Sequence, residues 1–283
     1  MKHLVCGWIG VICLLLLSVA CSRKEADYTI AVSQCSEDDW RAQMNKEILR
    51  EALFYPGVNV EVYQAHDDNA HQIKDIESLI ERKVDLLIVA PNEAEAITPV
   101  IEKAYDAGIP VILVDRKINS KKYTAYVGAD NYEIGRKAGE YIADRLGGKG
   151  RVIEITGLRG STPAVERHRG MMEALKAVPG VQVVASAEAG WFRQKAGEVM
   201  DTLLDAHPQV NLVFAQNDRM AIGAYEKARQ KNRAGQIAFV GVDAVAGGVE
   251  SVAEGKLDAT FIYPTGGDRK STRLNSSHRC LSR

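Results

Sequence analysis

The sequence predicts an α/β fold of two doubly wound, Rossmann-like parallel-sheet lobes joined by a hinge. Three observations carry this. Short β-branched apolar runs alternate about ten times with amphipathic helical stretches, the pattern of right-handed βαβ units. That many strands exceed one comfortable sheet. A break at Gly128-Ala129-Asp130-Asn131, then a second βα series from Arg151, divides the chain without a long linker.

The predicted strands are 28–33, 58–64, 86–90, 111–114, 123–127, 151–156, 181–187, 212–215, 237–242 and 259–262. Each is β-branched-rich and flanked by turn residues. Trp40, Met44, Ile48 and Leu49 recur at helical spacing, as do Ile73, Ile76, Leu79 and Ile80, and Ile97, Val100, Ile101 and Ala104. The first lobe spans 28–129, the second 130–262, and 263–268 begin a return crossing.

Both ends differ from this body. Lys2 and His3 precede an apolar run from Leu4 to Ala20, a charged n-region and an h-region of an export signal covering 1–20. Ser18-Val19-Ala20-Cys21 has the form of a lipidation box with Cys21 as the lipidated residue, and 22–27 complete a short tether that begins at Cys21. An uncleaved anchor and plain secretion also fit, and all three export the body. The last fifteen residues, Arg269 to Arg283, hold five bases and no acid. They lack an apolar period, read as foreign to the gene, and are set aside from fold reasoning. On that reading the first lobe lacks its last returning segment and exposes apolar surface.

The full chain has 283 residues and a formal charge of −1. Its body from Cys21 to Asp268 is acidic, which argues against a nucleic-acid binder. With Cys21 set aside as the lipid site, only Cys35 of the five cysteines remains in that body, so no internal disulfide is expected. The histidines lack metal spacing, and no phosphate-loop, dinucleotide or nucleophile-elbow motif is present. No metal, cofactor or catalytic residue is expected, and the chain reads as a binder rather than an enzyme.

In open α/β sheets ligands sit beyond the carboxyl ends of the strands. Those positions hold Trp40, Asp115, Arg116, Arg169, Trp191, Asn217, Asp243 and Tyr263. Short carboxylates and Asn accept hydrogen bonds from hydroxyls, and Arg donates a fork. Aromatic rings stack on CH faces. A monosaccharide between Trp40 and Trp191, ringed by Asp115, Arg116, Arg169, Asn217 and Asp243, is chemically sensible. Each residue also has a bland role. Trp40 can staple its helix, Asp115-Arg116 can be a loop ion pair, and Asn217 and Asp243 can be helix caps. His168, between two arginines, is the one histidine read as other than a surface residue.

These segments resemble the type I periplasmic binding proteins of the ribose and galactose class. Ile109-Pro110-Val111 with Asp115-Arg116 resembles the sugar motif. Phe214-Ala215-Gln216-Asn217-Asp218 with Met220-Ala221, Gly241-Val242-Asp243, and Arg167-His168-Arg169-Gly170 follow in the family's order. The resemblance implies sugar contacts from Asp115, Arg116, Arg169, Asn217 and Asp243, with Trp191 in place of a family Phe. Tyr263 stands where ribose binders have Gln. The first loop, Glu37-Asp38-Asp39-Trp40, departs from the ribose pattern. Ser33–Ser36, Asp39-Trp40-Arg41 and 258–265 are similar to sensor domains of Bacteroidetes-type hybrid two-component regulators. The implied partners are a monosaccharide, the membrane through a lipid or N-terminal anchor, and a kinase module or an ABC permease, in the periplasm.

Overall fold

The computed structural model describes residues 26–265 and 280–282. The signal region, Cys21 and most of the basic tail lie outside the described residues.

The first sheet contains β1 (Tyr28–Gln34), β2 (Val58–Gln64), β3 (Leu86–Val89), β4 (Val111–Val114) and β5 (Ala125–Val127), in the order β2-β1-β3-β4-β5. All its pairings are parallel. The helices between are α1 (Asp39–Ala52), α2 (Asn69–Glu81) and α3 (Ala94–Asp106). Asp38 caps α1 and Asp68 caps α2 through their carboxylates, each satisfying amides that the first turn leaves free. Strand alternation sorts the two faces. Leu87, Val89, Val111 and Leu113 form one core with Ile76, Leu79, Ile97 and Ile101 of α2 and α3. Ile88 and Ile112, one residue on, face the α1 side and are half-buried. Leu49, Leu53, Phe54 and Val127 are exposed on this lobe.

After β5 the chain enters α4 (Asn131–Arg145), capped by Asp130. The second sheet follows with β6 (Gly150–Thr156), β7 (Val181–Glu188), β8 (Leu212–Ala215), β9 (Ala238–Asp243) and β10 (Ala259–Ile262). Its helices are α5 (Thr162–Lys176), α6 (Arg193–Ala206), α7 (Asp218–Gln230) and α8 (Ala246–Ala253). The order is β11-β10-β9-β8-β6-β7, where β11 is Cys280–Ser282. Phe214, Val240 and Phe261 fill one side of this sheet, and Ile153, Val213 and Phe239 the other.

Four predicted strands match the observed bounds, at β2, β4, β8 and β10; β9 is shifted by one residue at both ends, and the others differ by one or two residues at one end. The correction comes from the tail. Cys280–Ser282 pairs antiparallel with β10, Phe261 opposite Cys280. An edge strand presents unpaired amides and carbonyls to any short extended segment. Backbone pairing of this kind needs no apolar period, so the period test passed over it.

The second lobe depends on close approach between α4 and α5. A Cβ at Gly135 would overlap the Arg167 carbonyl, and one at Gly170 would overlap that of Tyr132. Both obstacles are backbone and cannot swing aside. We predict that Gly135→Ala or Gly170→Ala lowers unfolding free energy by about 1–3 kcal/mol through overpacking. Urea denaturation measures it. A midpoint equal to wild type in both variants would refute the tight-packing account.

Candidate functional site

A polar cleft lies between the lobes at the carboxyl ends of their strands, with about 360 Å³ of empty space, mouth included. Asp38, Trp40, Arg41, Asp115 and Arg116 line it from the first lobe. Pro163, Arg167, Trp191, Asn217 and Asp243 line it from the second, and Tyr263 lies on the crossing segment. The lips touch: the Ala94 amide donates to the Gly160 carbonyl at 3.1 Å. The Lys117 amide donates to Thr162 Oγ1 at 2.9 Å, and Lys117 Nζ meets Glu166 at 2.6 Å.

Asp115 is the centre. It follows β4 with φ of +63°, the left-handed region that side chains other than Gly and Asn seldom adopt. Its carboxylate is buried. Arg41 Nη2 donates to Oδ2 at 2.5 Å, and the Tyr263 hydroxyl donates to Oδ1 at 2.7 Å. Burial alone would raise the pKa of this carboxyl. Arg41, then Arg116 and the two hydrogen bonds, outweigh it and hold the group below the usual carboxylate range. Tyr263, buried beside this carboxylate, is pushed well above the usual phenol value.

Arg41 is fixed by three elements at once. Nε donates to Ser36 Oγ at 3.0 Å and Nη1 to Gln34 Oε1 at 3.2 Å. Arg116 Nη1 donates to the Asn92 carbonyl at 2.7 Å. Its Nε is buried without a hydrogen bond among the described residues and lies 3.6 Å from Asp115 Oδ2. Arg167 Nε donates to Asn131 Oδ1 at 2.9 Å, and Nη1 to the Gln216 carbonyl.

Aromatic rings form two walls. Trp40 lies 5.1 Å from the Tyr263 ring and donates from Nε1 to the Tyr263 carbonyl at 2.9 Å. Trp191 follows Gly190 with φ of +77°. Its ring covers Gly157, where any Cβ would collide with the indole. The Arg116 and Arg167 guanidiniums stand 5.6 and 5.7 Å from its centroid, within cation–π range.

All but one of the eight sequence-predicted residues line the cleft. Arg169 does not, which corrects the sequence reading: it is exposed on α5, stacked 5.0 Å over Tyr132. Arg167 stands there instead, 2% exposed. Two residues along a helix turn a side chain by about 200°, so only one arginine of an R-x-R pair can face the cleft. The Gly135 contact sets α5 down with Arg167 inward. Sequence reasoning also missed Arg41 and Asp38. Their position directly after β1 was the available signal, but the aromatic Trp40 drew the attention. Asn217 fills its bland role as well, accepting from the Met220 amide at 2.9 Å while Nδ2 donates to the Trp191 carbonyl at 3.3 Å. Among the described residues no group of three or more His, Cys, Asp or Glu side chains is placed to hold a metal.

Asp218 lies behind the cleft wall that Asp243 lines. Asp218 is fully buried and accepts from the Thr260 hydroxyl at 2.6 Å. Gly241 and Gly248 leave the space that its carboxyl occupies. Burial pushes Asp218 up to about 7, and burial also raises Asp243 well above its ordinary value.

The sequence matches the periplasmic binding protein domain family over residues 30–268. The chain belongs to this family of binding proteins. It is 33% identical over 240 residues to the ribose import binding protein of Bacillus subtilis, covering 84% of this chain and 77% of that protein. The Escherichia coli ribose import binding protein is 36% identical over 205 residues, 72% of this chain and 69% of that one. Among solved structures, the fructose-binding periplasmic domain of a hybrid two-component system superposes with a TM-score of 0.84 at 53% identity. That match covers 86% of this chain and 82% of the other. A myo-inositol-bound solute-binding protein of a Bacillus halodurans ABC transporter gives 0.82 at 26% identity, over 90% and 88%. These relatives bind solutes and are not enzymes, and the family is one of exported proteins.

Between about pH 4 and pH 7 native Asp218 keeps a proton that the unfolded chain has lost. Its contribution to stability therefore falls as pH rises across that window. We predict that Asp218→Asn, which cannot ionise, narrows the difference in melting temperature between pH 5 and pH 7. Differential scanning calorimetry of both proteins tests it, and an unchanged difference would refute the buried-acid assignment.

Proposed function

We propose that the chain is an exported receptor for a neutral monosaccharide, D-fructose first among them, and that lobe closure around the sugar is read by a hybrid two-component kinase. The observation that carries this is Asp115. Its carboxylate is held between Arg41, Arg116 and Tyr263 with tryptophan walls on both sides. A ring hydroxyl can accept from the Arg116 guanidinium and donate to Asp115, while ring CH faces meet Trp40 and Trp191. Arg41, Arg116 and Arg167 share the lining with Asp38, Asp115 and Asp243, a set of donors and acceptors that suits the hydroxyls of a sugar. The 53% identity to a fructose-binding sensor domain supports the choice of sugar and of reader.

A second reading is a lipid-anchored binding protein of a sugar ABC transporter. Cys21 after Ser18-Val19-Ala20 and the import-protein relatives favour it. Radiolabelled palmitate incorporation that disappears in Cys21→Ala would support lipidation. Loss of fructose uptake without loss of a fructose-dependent transcriptional response would favour transport over sensing.

The ligand is tested by thermal shift with fructose, ribose, xylose, arabinose and galactose, then calorimetry. We predict that Arg167→Ala or Asp115→Ala weakens binding by about 10-fold to 100-fold, since a hydrogen bond to a charged group contributes about 1.5–3 kcal/mol. Arg169→Ala leaves the affinity within about twofold, as expected for an exposed site. Equal losses at Arg167 and Arg169 would overturn this assignment of the arginines.

A further inference from the structure

A carboxylate that no ligand reaches lies beneath the second lobe's half of the cleft. Glu154, in the middle of β6, has no exposed surface. Three donors converge on it: Gln216 Nε2 on Oε1 at 2.9 Å, and the Ser186 hydroxyl and His168 Nδ1 on Oε2, both at 2.7 Å. Gln216 then has only one way to stand. With its amide nitrogen given to Glu154 and to the Ala164 carbonyl at 3.1 Å, its Oε1 accepts the Gly157 amide at 3.0 Å. Gly157 is the residue on which the Trp191 indole lies. The Gln216 carbonyl accepts from Arg167, and Asn217 is the next residue. One buried carboxylate is thus linked to the Trp191 platform, the inward arginine and the end of β8.

We propose that Glu154 is a positioning residue: it sets the amide polarity of Gln216 and thereby the placement of Gly157, Trp191 and Arg167 at the ligand. An amide has a donor end and an acceptor end. If it is reversed, its nitrogen faces the Gly157 N–H and its oxygen faces the Ala164 carbonyl, two repulsive pairings in a buried site. Glu154 offers only acceptors and so excludes that state. Its other partner, His168, is half-exposed. The charged groups facing His168 are Glu154 on β6 and Arg159 in the loop before α5, itself 3.6 Å from Glu188 at the end of β7. The hydrogen bond to Glu154 raises the affinity of the imidazole for its proton.

Two substitutions separate positioning from stability. Removing Glu154 leaves the Gln216 and Ser186 donors without this partner, although Gln216 keeps its bond to Ala164. Glu154→Leu should therefore melt below wild type, and exchange is compared under conditions where both proteins are folded. Its Gly157 amide should exchange about tenfold faster or more as the local structure opens, and fructose should bind about tenfold more weakly or worse. Glu154→Gln can retain an oxygen toward Gln216 if its own nitrogen faces a neutral His168, whose Nδ1 can accept. Protonated His168 forbids that arrangement, because Nδ1 is then a donor. The glutamine variant should accordingly resemble wild type well above the ordinary histidine value of about 6.5 and resemble the leucine variant well below it.

Amide exchange of the ligand-free full chain, followed at Gly157 across this pH range, and calorimetry with D-fructose are the two measurements. The binding arm rests on the sugar-receptor reading, whereas the exchange arm does not. If wild type fails to bind fructose, that choice of ligand falls and exchange still decides. Wild-type Gly157 exchange in Glu154→Leu would overturn the proposal. So would a glutamine variant that matches the leucine variant at every pH, since charge and not amide polarity would then be what Glu154 supplies.

Discussion

The buried negative charge of Asp115 is the constraint around which the cleft is built. A carboxylate out of water costs several kcal/mol unless it is paired, and here it lies at the tip of a strand in a left-handed conformation. Its compensation comes from distant parts of the chain: Arg41 from α1 of the same lobe and Tyr263 from the segment that leaves the second lobe. Because Tyr263 follows β10, the pairing of Asp115 depends on the two lobes standing together. Trp40 adds to this by donating to the Tyr263 main chain, and the Thr265 hydroxyl reaches Glu47 of α1 at 2.9 Å. Part of the compensation of Asp115 thus comes from its own lobe, through Arg41 and Arg116, and part from the segment that leaves the other, through Tyr263.

The arginines divide that labour. Arg41 is held at all three nitrogens by Ser36, Gln34 and Asp115, and so acts as a fixed part of the floor. Arg116 is anchored through Nη1 on the Asn92 carbonyl, with Nε toward Asp115. Arg167 is held by Asn131 and the Gln216 carbonyl with its plane near Tyr263 and Trp191. A guanidinium offers five N–H groups in a rigid fork, so each can be anchored by some donors and still present others. Lysine in these places would give up either the anchor or the ligand contact.

The fold was legible because its signals are periodic. Alternation of apolar runs sets strand number and parallel pairing regardless of small errors at the ends, and Phe214, Val240 and Ile97 are core residues for that reason. Most of the cleft was legible by position, since Asp115, Asn217 and Asp243 each terminate a strand. Arg41 and Arg167 were not, because they are presented by helices, where a side chain's direction changes by about 100° per residue. The choice between Arg167 and Arg169 is fixed by which face of α5 meets Gly135, and that is a contact between residues far apart in sequence. Strand β11 escaped for the opposite reason: its pairing is a backbone property of an open edge, to which side-chain pattern is nearly blind.

Glycine connects these two kinds of legibility. At Gly135 and Gly170 the missing Cβ lets α4 and α5 meet, which turns Arg167 inward. At Gly157 it lets Trp191 lie flat over the loop, and at Gly241 and Gly248 it makes room for the Asp218 carboxyl. None of these positions contributes a functional group, yet each decides where one is placed. A reading that inspects only the chemistry-bearing residues after each strand recovers the composition of the site. Its geometry is set one layer down, where small residues admit the large ones and a buried carboxylate, Glu154, meets the amide that holds the Gly157 loop.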